Sequence, residues 1–414
     1  MTTTVLRVTH SGQTLALPRV ACAPGTDTYL TAASDATDGP LIFARVEADG
    51  DVAWSKSLKL SAANGIHFGA VASANSGADV AVLISYENNS TFVYECVVAL
   101  YNSSGTLQWQ TALPLTAVDS GFPSAAVYGF AIAPDKSVYV TGTVSSNADT
   151  LLVKLNGTTG AKDWSVNLRS SSVSTAINAS GGLVVLSGGD PVVYVRGPTL
   201  PSSTSRAHIQ RLSATDGSIT WTRGITWGST SSGFFTNLAV DGSDNIYCSC
   251  PENAYGSLGS ELPVVKLNSS GTELWSRNVR STAALYASHT FTLDWGPGVA
   301  AATGGVTFPM NFGYDPTPDK FNYGHLTVPA AGTIATSSVN LTAYVQPSYS
   351  GTQQAAGAVQ VADAVTMAYD DTVSSTGRIM LVRSEPLAGD DSNYGTIYTR
   401  ATYLFDLIAG QGAS

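Results

Sequence analysis

The stretch LLVKLNGTTGAKDWSVNL, residues 151–168, decides how this chain is built. An apolar run, LLVKL, leads into Asn156-Gly157-Thr158-Thr159-Gly160, and a second run carries Trp164. Apolar alternation on both sides of a small polar turn is the pattern of a β-hairpin, and Gly160 lets the backbone take the positive φ that a tight turn needs. The same figure, Gly-x-x-x-Trp, stands at Gly50–Trp54, Gly105–Trp109, Gly160–Trp164, Gly217–Trp221 and Gly271–Trp275. From Trp to Trp the steps are 55 (109−54), 55 (164−109), 57 (221−164) and 54 (275−221) residues. A fixed period carrying one strand–turn–strand signature marks a repeat architecture, not a string of unrelated domains.

Outward from this hairpin, each period reads as four short strands. Before it lies YGFAIAPDKSVYVTGTV (128–144), a pair turned at Pro134-Asp135-Lys136; in the fifth unit FTNLAVDGSDNIYCSC precedes PVVKLNSSGTELWSRNV. Helical periodicity is almost absent. A Trp on each outer strand wedges between successive sheets and buries on the order of 200 Å², so Trp54, Trp109, Trp164, Trp221 and Trp275 read as packing residues. Four-stranded sheets locked in this way form a ring, an all-β propeller of seven blades in one domain over 1–414. Beyond the five good copies the figure erodes: the sixth unit keeps Gly332 but has Thr336 at the Trp position, and a seventh ends near Gly395. Residues 1–18, with Gly12 in VLRVTHSGQTLAL, read as a closing hairpin that joins the C-terminal segment and removes exposed edges. Eight blades result if both Gly12 and Gly395 mark full units.

Charged residues make up only 12% of the chain, about half the usual share, while 43% are hydrophobic. Ser, Thr, Asn and Gly must therefore carry the surface, which suits life outside the cell. With 20 Lys+Arg, a net charge of −10 and no basic run, the footprint of nucleic-acid binding is missing. No stretch approaches the ~18 apolar residues of a membrane span. The N-terminal MTTTVLRVTHSGQTLAL lacks the basic and apolar regions of a secretory signal. An exterior composition without a leader points to a virion component released by lysis.

Motifs for catalysis are missing: no Gly-x-Ser-x-Gly, no His-Glu-x-x-His, no Walker-type loop. His10, His67, His208, His289 and His325 fall in separate units. Cys22 and Cys96 stand apart, and Cys248 and Cys250 alternate on one strand, which reads as buried thiols and not as a metal set. Asp241, Asp244 and Asn245 could offer three oxygens to calcium but read as a solvated turn. Asn89, Asn102, Asn156, Asn178, Asn268 and Asn340 precede x-Ser/Thr and read as turn composition.

The figures TGAKDWSVNL, DGSITWTRGI and SGTELWSRNV resemble the Trp-bearing repeat of PQQ-like quinoprotein β-propellers, over about residues 41–280. The resemblance implies the fold. In the quinoprotein enzymes a cofactor sits over a central site with a catalytic Asp, a calcium ion and adjacent cysteines. Here Ser249 separates Cys248 from Cys250 and no acidic–Asn cradle stands out, so no cofactor and no metal are expected.

Function is sought where the repeat swells. Residues 306–325, an aromatic-rich insertion in the sixth unit, hold Phe312, Tyr314 and Tyr323 with Asp315 and Asp319; Trp227 is a second candidate. DPVVYVRGPTLPSSTSRAH enlarges the fourth unit. Aromatics beside carboxylates suit docking to a sugar or a protein. The reading is a non-catalytic structural or host-recognition component of a bacteriophage tail, located in the virion and part of a larger assembly. Its partners would be a host surface glycan or neighbouring virion proteins. The alternatives are a polysaccharide lyase or hydrolase using Asp315 or Asp319, and a bacterial surface scaffold.

Overall fold

The computed structural model describes residues 3–9, 15–22, 28–34, 41–46, 52–58, 63–73, 79–88, 94–113, 127–144, 149–168, 182–196, 206–226, 237–249, 261–280, 293–295, 299–300, 304–312, 322–332, 366–370, 378–386 and 401–409. They form seven four-stranded antiparallel sheets, the architecture of a β-propeller, and no helix occurs among them.

In chain order the first sheet holds β2 (Leu15–Cys22), β3 (Thr28–Ser34), β4 (Leu41–Val46) and β5 (Val52–Leu58). The second holds β6 (Ala63–Ser73), β7 (Val80–Asn88), β8 (Tyr94–Tyr101) and β9 (Leu107–Leu113). The third holds β10 (Val127–Ile132), β11 (Val138–Val144), β12 (Asp149–Leu155) and β13 (Lys162–Asn167). In the fourth are β14 (Leu183–Val185), β15 (Pro191–Arg196), β16 (Arg206–Leu212) and β17 (Ile219–Thr226). The fifth has β18 (Asn237–Val240), β19 (Ile246–Ser249), β20 (Glu261–Leu267) and β21 (Glu273–Arg280). Two short pieces, β22 (Leu293–Trp295) and β23 (Val299–Ala300), flank β24 (Val306–Phe312) in the sixth, with β25 (Asn322–Val328) on its far side. The last sheet is β26 (Thr366–Asp370), β27 (Arg378–Pro386) and β28 (Ala401–Ala409), completed by the N-terminal β1 (Thr3–Thr9).

The first strands of the sheets touch in a cycle, β2–β6–β10–β14–β18–β23–β26 and back to β2, so the ring is closed. Closure differs in detail from a hairpin over 1–18. β1 adds to β28 from Thr3↔Ile408 to Thr9↔Thr402, whereas β2 begins the first sheet beside β3. The N-terminal segment is thus divided between two sheets and straps them together.

Each core lies between neighbouring sheets. Along β7, Val80, Val82 and Ile84 pack with Tyr29, Leu41 and Phe43 of the first sheet. Ala81 and Leu83 point the other way, to Ile132, Val138 and Val140 of the third. A strand covered on both faces needs an unbroken apolar run, which is why this one reads VAVLI with every residue buried. Leu152 and Val193 join the third and fourth sheets, and Val192, Ile246 and Val265 the fourth and fifth.

Prolines mark the irregular places. Pro309 has no N–H, and it falls between the parts of β24 paired with β22 (Met310–Phe312) and with β23 (Val306–Thr307). Residues 306–312 and 322–328 are therefore strands of the sheet, and only 313–321 forms the connection between them. The aromatic segment is the β24–β25 hairpin of the sixth sheet and not an appendage to it.

Candidate functional site

Because the strands alternate in direction, the connections fall on two edges of the ring. One edge carries the links from first to second and from third to fourth strand, such as 133–137, 156–161, 186–190, 213–218, 241–245 and 268–272. The other carries the links from second to third strand and from sheet to sheet, including 114–126, 169–181, 197–205, 227–236, 250–260, 281–292 and 313–321. We call these the turn edge and the loop edge.

The turn edge is where the Gly-x-x-x-Trp figure acts, and each copy serves two different contacts. Every Trp indole N–H donates to a carbonyl in the turn of the following sheet: Trp54 to Ser103 (2.9 Å), Trp109 to Gly157 (3.0 Å), Trp164 to Ala214 (3.1 Å), Trp221 to Ser269 (3.0 Å) and Trp275 to Ala330 (3.0 Å). The ring of the same Trp covers the Gly of that following turn. A Cβ on Gly160 would lie 2.5 Å from Trp109, and one on Gly332 2.7 Å from Trp275. Both glycines also have positive φ, +69° and +66°, so two constraints select Gly there. The fifth Trp explains why Gly332 persists without a Trp of its own. A register shift at the same point of each copy, as between Lys154 and Leu155, leaves one extra residue before the Trp and re-aims its side chain.

A cation doubles four of these stitches. Arg45, Lys154, Arg211 and Lys266 pair across the hairpin with Trp54, Trp164, Trp221 and Trp275. Each donates to the carbonyl that its Trp uses: Arg45 Nη1 to Ser103 (2.7 Å), Lys154 Nζ to Ala214 (2.8 Å), Arg211 Nη1 to Ser269 (2.9 Å) and Lys266 Nζ to Ala330 (3.3 Å). Asp190 orients Arg211 by accepting from Nε (3.0 Å) and Nη2 (2.7 Å). The second sheet has Leu100 in the cation's register; there Thr111 Oγ1 donates to Gly160 O at 2.6 Å instead. These cations were legible as the basic residue two positions before each turn (ARV, VKL, QRL, VKL), a signal the Trp spacing overshadows.

An inner row of contacts runs parallel. Tyr139 donates to Gly189 O (2.9 Å) in the next sheet, and Tyr247 accepts from the Gly305 N–H (2.8 Å) while donating to Asp241 (3.1 Å). Burial raises both phenols above their ordinary pKa; Asp135, Asp190 and Asp163 add to this at Tyr139. At Tyr247 Asp241 adds and the Gly305 N–H opposes. The Asp241 turn is not the solvated one the sequence suggests. Its carboxylate is 2% exposed and accepts from Ser243 N, Asn245 N, Asn245 Nδ2 and Tyr247 Oη, with Lys266 Nζ 3.6 Å away. Asp244 reaches across to accept from Ser187 N (2.8 Å) and Oγ (2.7 Å) of the preceding sheet. Those oxygens are occupied by protein donors, and no group of three metal-ligating side chains occurs among the described residues. Cys96 and Cys248 are buried free thiols whose pKa burial pushes up, so they stay protonated.

The loop edge gathers the binding candidates. Phe312 and Tyr323 stand at the loop end of the β24–β25 hairpin, in the registers Phe312↔Asn322 and Asn311↔Tyr323. Tyr314, Asp315 and Asp319 fall in the connection 313–321, and Trp227 in the link from β17 to β18; these four lie outside the described residues. The strands that bracket 197–205, 227–236 and 313–321 all end at this edge. Topology thus collects on one side the segments that the sequence singles out, while the five packing Trp residues lie on the other.

Residues 93–288 match a family model of PQQ-type repeats described as outer membrane protein assembly factor BamB, which bears out the repeat resemblance over that stretch. No curated relative matches the chain. Among solved structures the chain is similar to the β-propeller domain of the Trilobed protease from Pyrococcus furiosus (9% identity, 90% of this chain and 92% of that one, TM-score 0.46). It is also similar to Kuenenia stuttgartiensis hydrazine synthase (11%, 73% and 78%, TM-score 0.43) and to the polysaccharide lyase Uly1 (9%, 96% and 90%, TM-score 0.45). At these identities the likeness concerns fold alone.

Proposed function

We propose that this chain is a non-catalytic recognition or structural propeller, a bacteriophage tail component whose loop edge engages a cell-surface glycan or a neighbouring virion protein. One observation carries the reading: the aromatic and acidic segment around 313–321, the enlarged 197–205 link and Trp227 belong to connections on one edge. The opposite edge joins sheets through its Trp and cation donors. Flat aromatic rings beside carboxylates match the stacking and hydrogen bonding that sugars and protein surfaces offer. The low charge and Ser/Thr/Gly-rich turns support an exterior setting. In a screen of bacterial surface polysaccharides the purified chain binds at least one and releases no shortened product. Release of product, abolished by Asp315→Asn, would assign a lyase or hydrolase instead.

A second reading, a bacterial surface scaffold, is favoured by the match of residues 93–288 to the assembly-factor family. Proteomics separates the two: the chain is found in purified phage particles on the first reading and in the envelope of uninfected cells on the second.

A further inference from the structure

One turn of the stitched edge differs from the rest in its chemistry. The residues whose carbonyls receive the Trp donors are Ser103, Gly157, Ala214, Ser269 and Ala330. Only the second is glycine, and it follows an asparagine, Asn156. Fit selects the glycine: a Cβ on Gly157 would lie 2.5 Å from the carbonyl carbon of Lys136, 2.6 Å from Asp135 O and 2.7 Å from Ser137 N. The turn selects the asparagine. Its Oδ1 accepts from Thr158 N (3.0 Å) and Thr159 N (3.1 Å), and its Nδ2 donates to Asp163 Oδ1 (3.3 Å). Packing thus sets an asparagine beside the one residue with no side chain to hinder attack of its nitrogen on the asparagine amide.

We propose that Asn156-Gly157 is a self-modification site whose reaction is gated by opening of the seam between the second and third sheets. The Gly157 nitrogen bonds to Asn156 Cγ, the Cγ–Nδ2 bond breaks, and ammonia leaves with the proton that the nitrogen gives up. Water then opens the five-membered imide at either carbonyl and leaves aspartate or isoaspartate; nothing is oxidised or reduced. The folded turn holds every moving part. Trp109 Nε1 donates to Gly157 O (3.0 Å), and residues 135–137 pack against the Gly157 Cα. Asn156 N donates to Ala161 O (2.8 Å) and Asn156 O accepts from Gly160 N (2.9 Å). Rotating the Gly157 peptide onto Cγ breaks the Trp109 stitch first, so the rate is that of the open turn multiplied by the fraction of time it is open. Neither product closes the seam as before. Isoaspartate lengthens the backbone by an atom where Gly157 has no room to shift, and aspartate sets a second carboxylate against Asp163. Lys154 Nζ, 3.8 Å from the other Asp163 oxygen, already donates to Ala214 O. A seam that has opened is marked in this way, and a marked seam opens more readily.

Peptide mapping by mass spectrometry of the full chain, incubated at mildly alkaline pH, tests this. Conversion at Asn156 is slower by about tenfold or more in the folded chain than in the same chain held unfolded in guanidinium chloride. Trp109→Phe keeps an aromatic ring and removes the donor to Gly157 O, and it speeds conversion in the folded chain about fivefold. Trp221→Phe, at the seam between the fourth and fifth sheets, leaves the rate unchanged. Asn156→Asp lowers Tm by about 1–2 °C, and adding Asp163→Asn restores it. Equal rates in the folded and unfolded unaltered chain overturn the proposal, and that comparison decides whether or not Trp109→Phe folds. A folded Trp109→Phe chain that reacts no faster overturns the gating, and an unchanged Tm in Asn156→Asp overturns the marking.

Discussion

The two edges of the ring are made from the same repeat and differ in how regular they are. On the turn edge, residues from one copy are answered by residues from the next at nearly constant spacing, and short turns with Asn102, Asn156 and Asn268 accepting backbone N–H groups fix the geometry. On the loop edge the connections differ in length and composition from sheet to sheet. Regularity is what a closed stack of sheets needs, and variation is what a specific partner needs; the chain separates them spatially.

The largest effect belongs to the most buried stitch. Trp109 is 7% exposed and joins the core between the second and third sheets, so Trp109→Ala costs about 3–5 kcal/mol in denaturant unfolding. Gly160→Ala adds left-handed strain of about 1–2 kcal/mol to the displacement of Trp109, and a total of about 2–4 kcal/mol is expected in the same assay. If it were neutral, the pairing of Gly with the preceding Trp would be wrong. Lys154→Met removes one of two donors from Ala214 O while Trp164 keeps the other, with an expected loss of about 1–3 kcal/mol.

Alkaline titration probes the inner row of contacts between sheets. The Tyr139 and Tyr247 phenols are held protonated above the usual ~10, so the stability they lend is complete below about pH 10 and lost as pH rises beyond it. The slope is about −1.4 kcal/mol per pH unit for each, and Tyr247→Phe removes one of the two contributions. Unfolding free energies measured from pH 8 to 11 check the sign. At the small end, Tyr314→Ala and Trp227→Ala change stability by no more than about 0.5 kcal/mol, since the stitched edge does not contain them.

Most of the frame was legible in the sequence, because a Trp and a Gly at fixed period survive as letters. Their partnership was not. Gly160 and Trp164 look like one unit because they are four residues apart, yet Gly160 answers Trp109 and Trp164 answers the turn of the next sheet. Proximity in sequence misleads wherever a contact repeats across units. Asp241 was read as solvated because Asp-Gly turns usually are; Tyr247, which donates to it, and Lys266, which pairs with it, are not adjacent in sequence and cover it. The segment 306–325 looked like an insertion because its aromatic stretch swells the sixth unit beyond the repeat, and its place opposite the gap between β22 and β23 depends on pairing that no local pattern encodes. Phe312 and Tyr323 can be placed by register, and the chemistry of the loop between them is a matter of composition.

The proposed division between a stitched edge and a binding edge is tested most directly by measuring, side by side, thermal unfolding and binding to a panel of bacterial surface polysaccharides. The chains compared are the unaltered one, a Tyr314→Ala/Asp315→Asn variant and an Ile219→Thr variant at an exposed position of the turn edge. The predicted result is at least tenfold weaker binding by the loop variant at an unchanged Tm, with the turn-edge variant binding normally. Binding that survives the loop changes but is lost in the Ile219→Thr variant at unchanged Tm would contradict it.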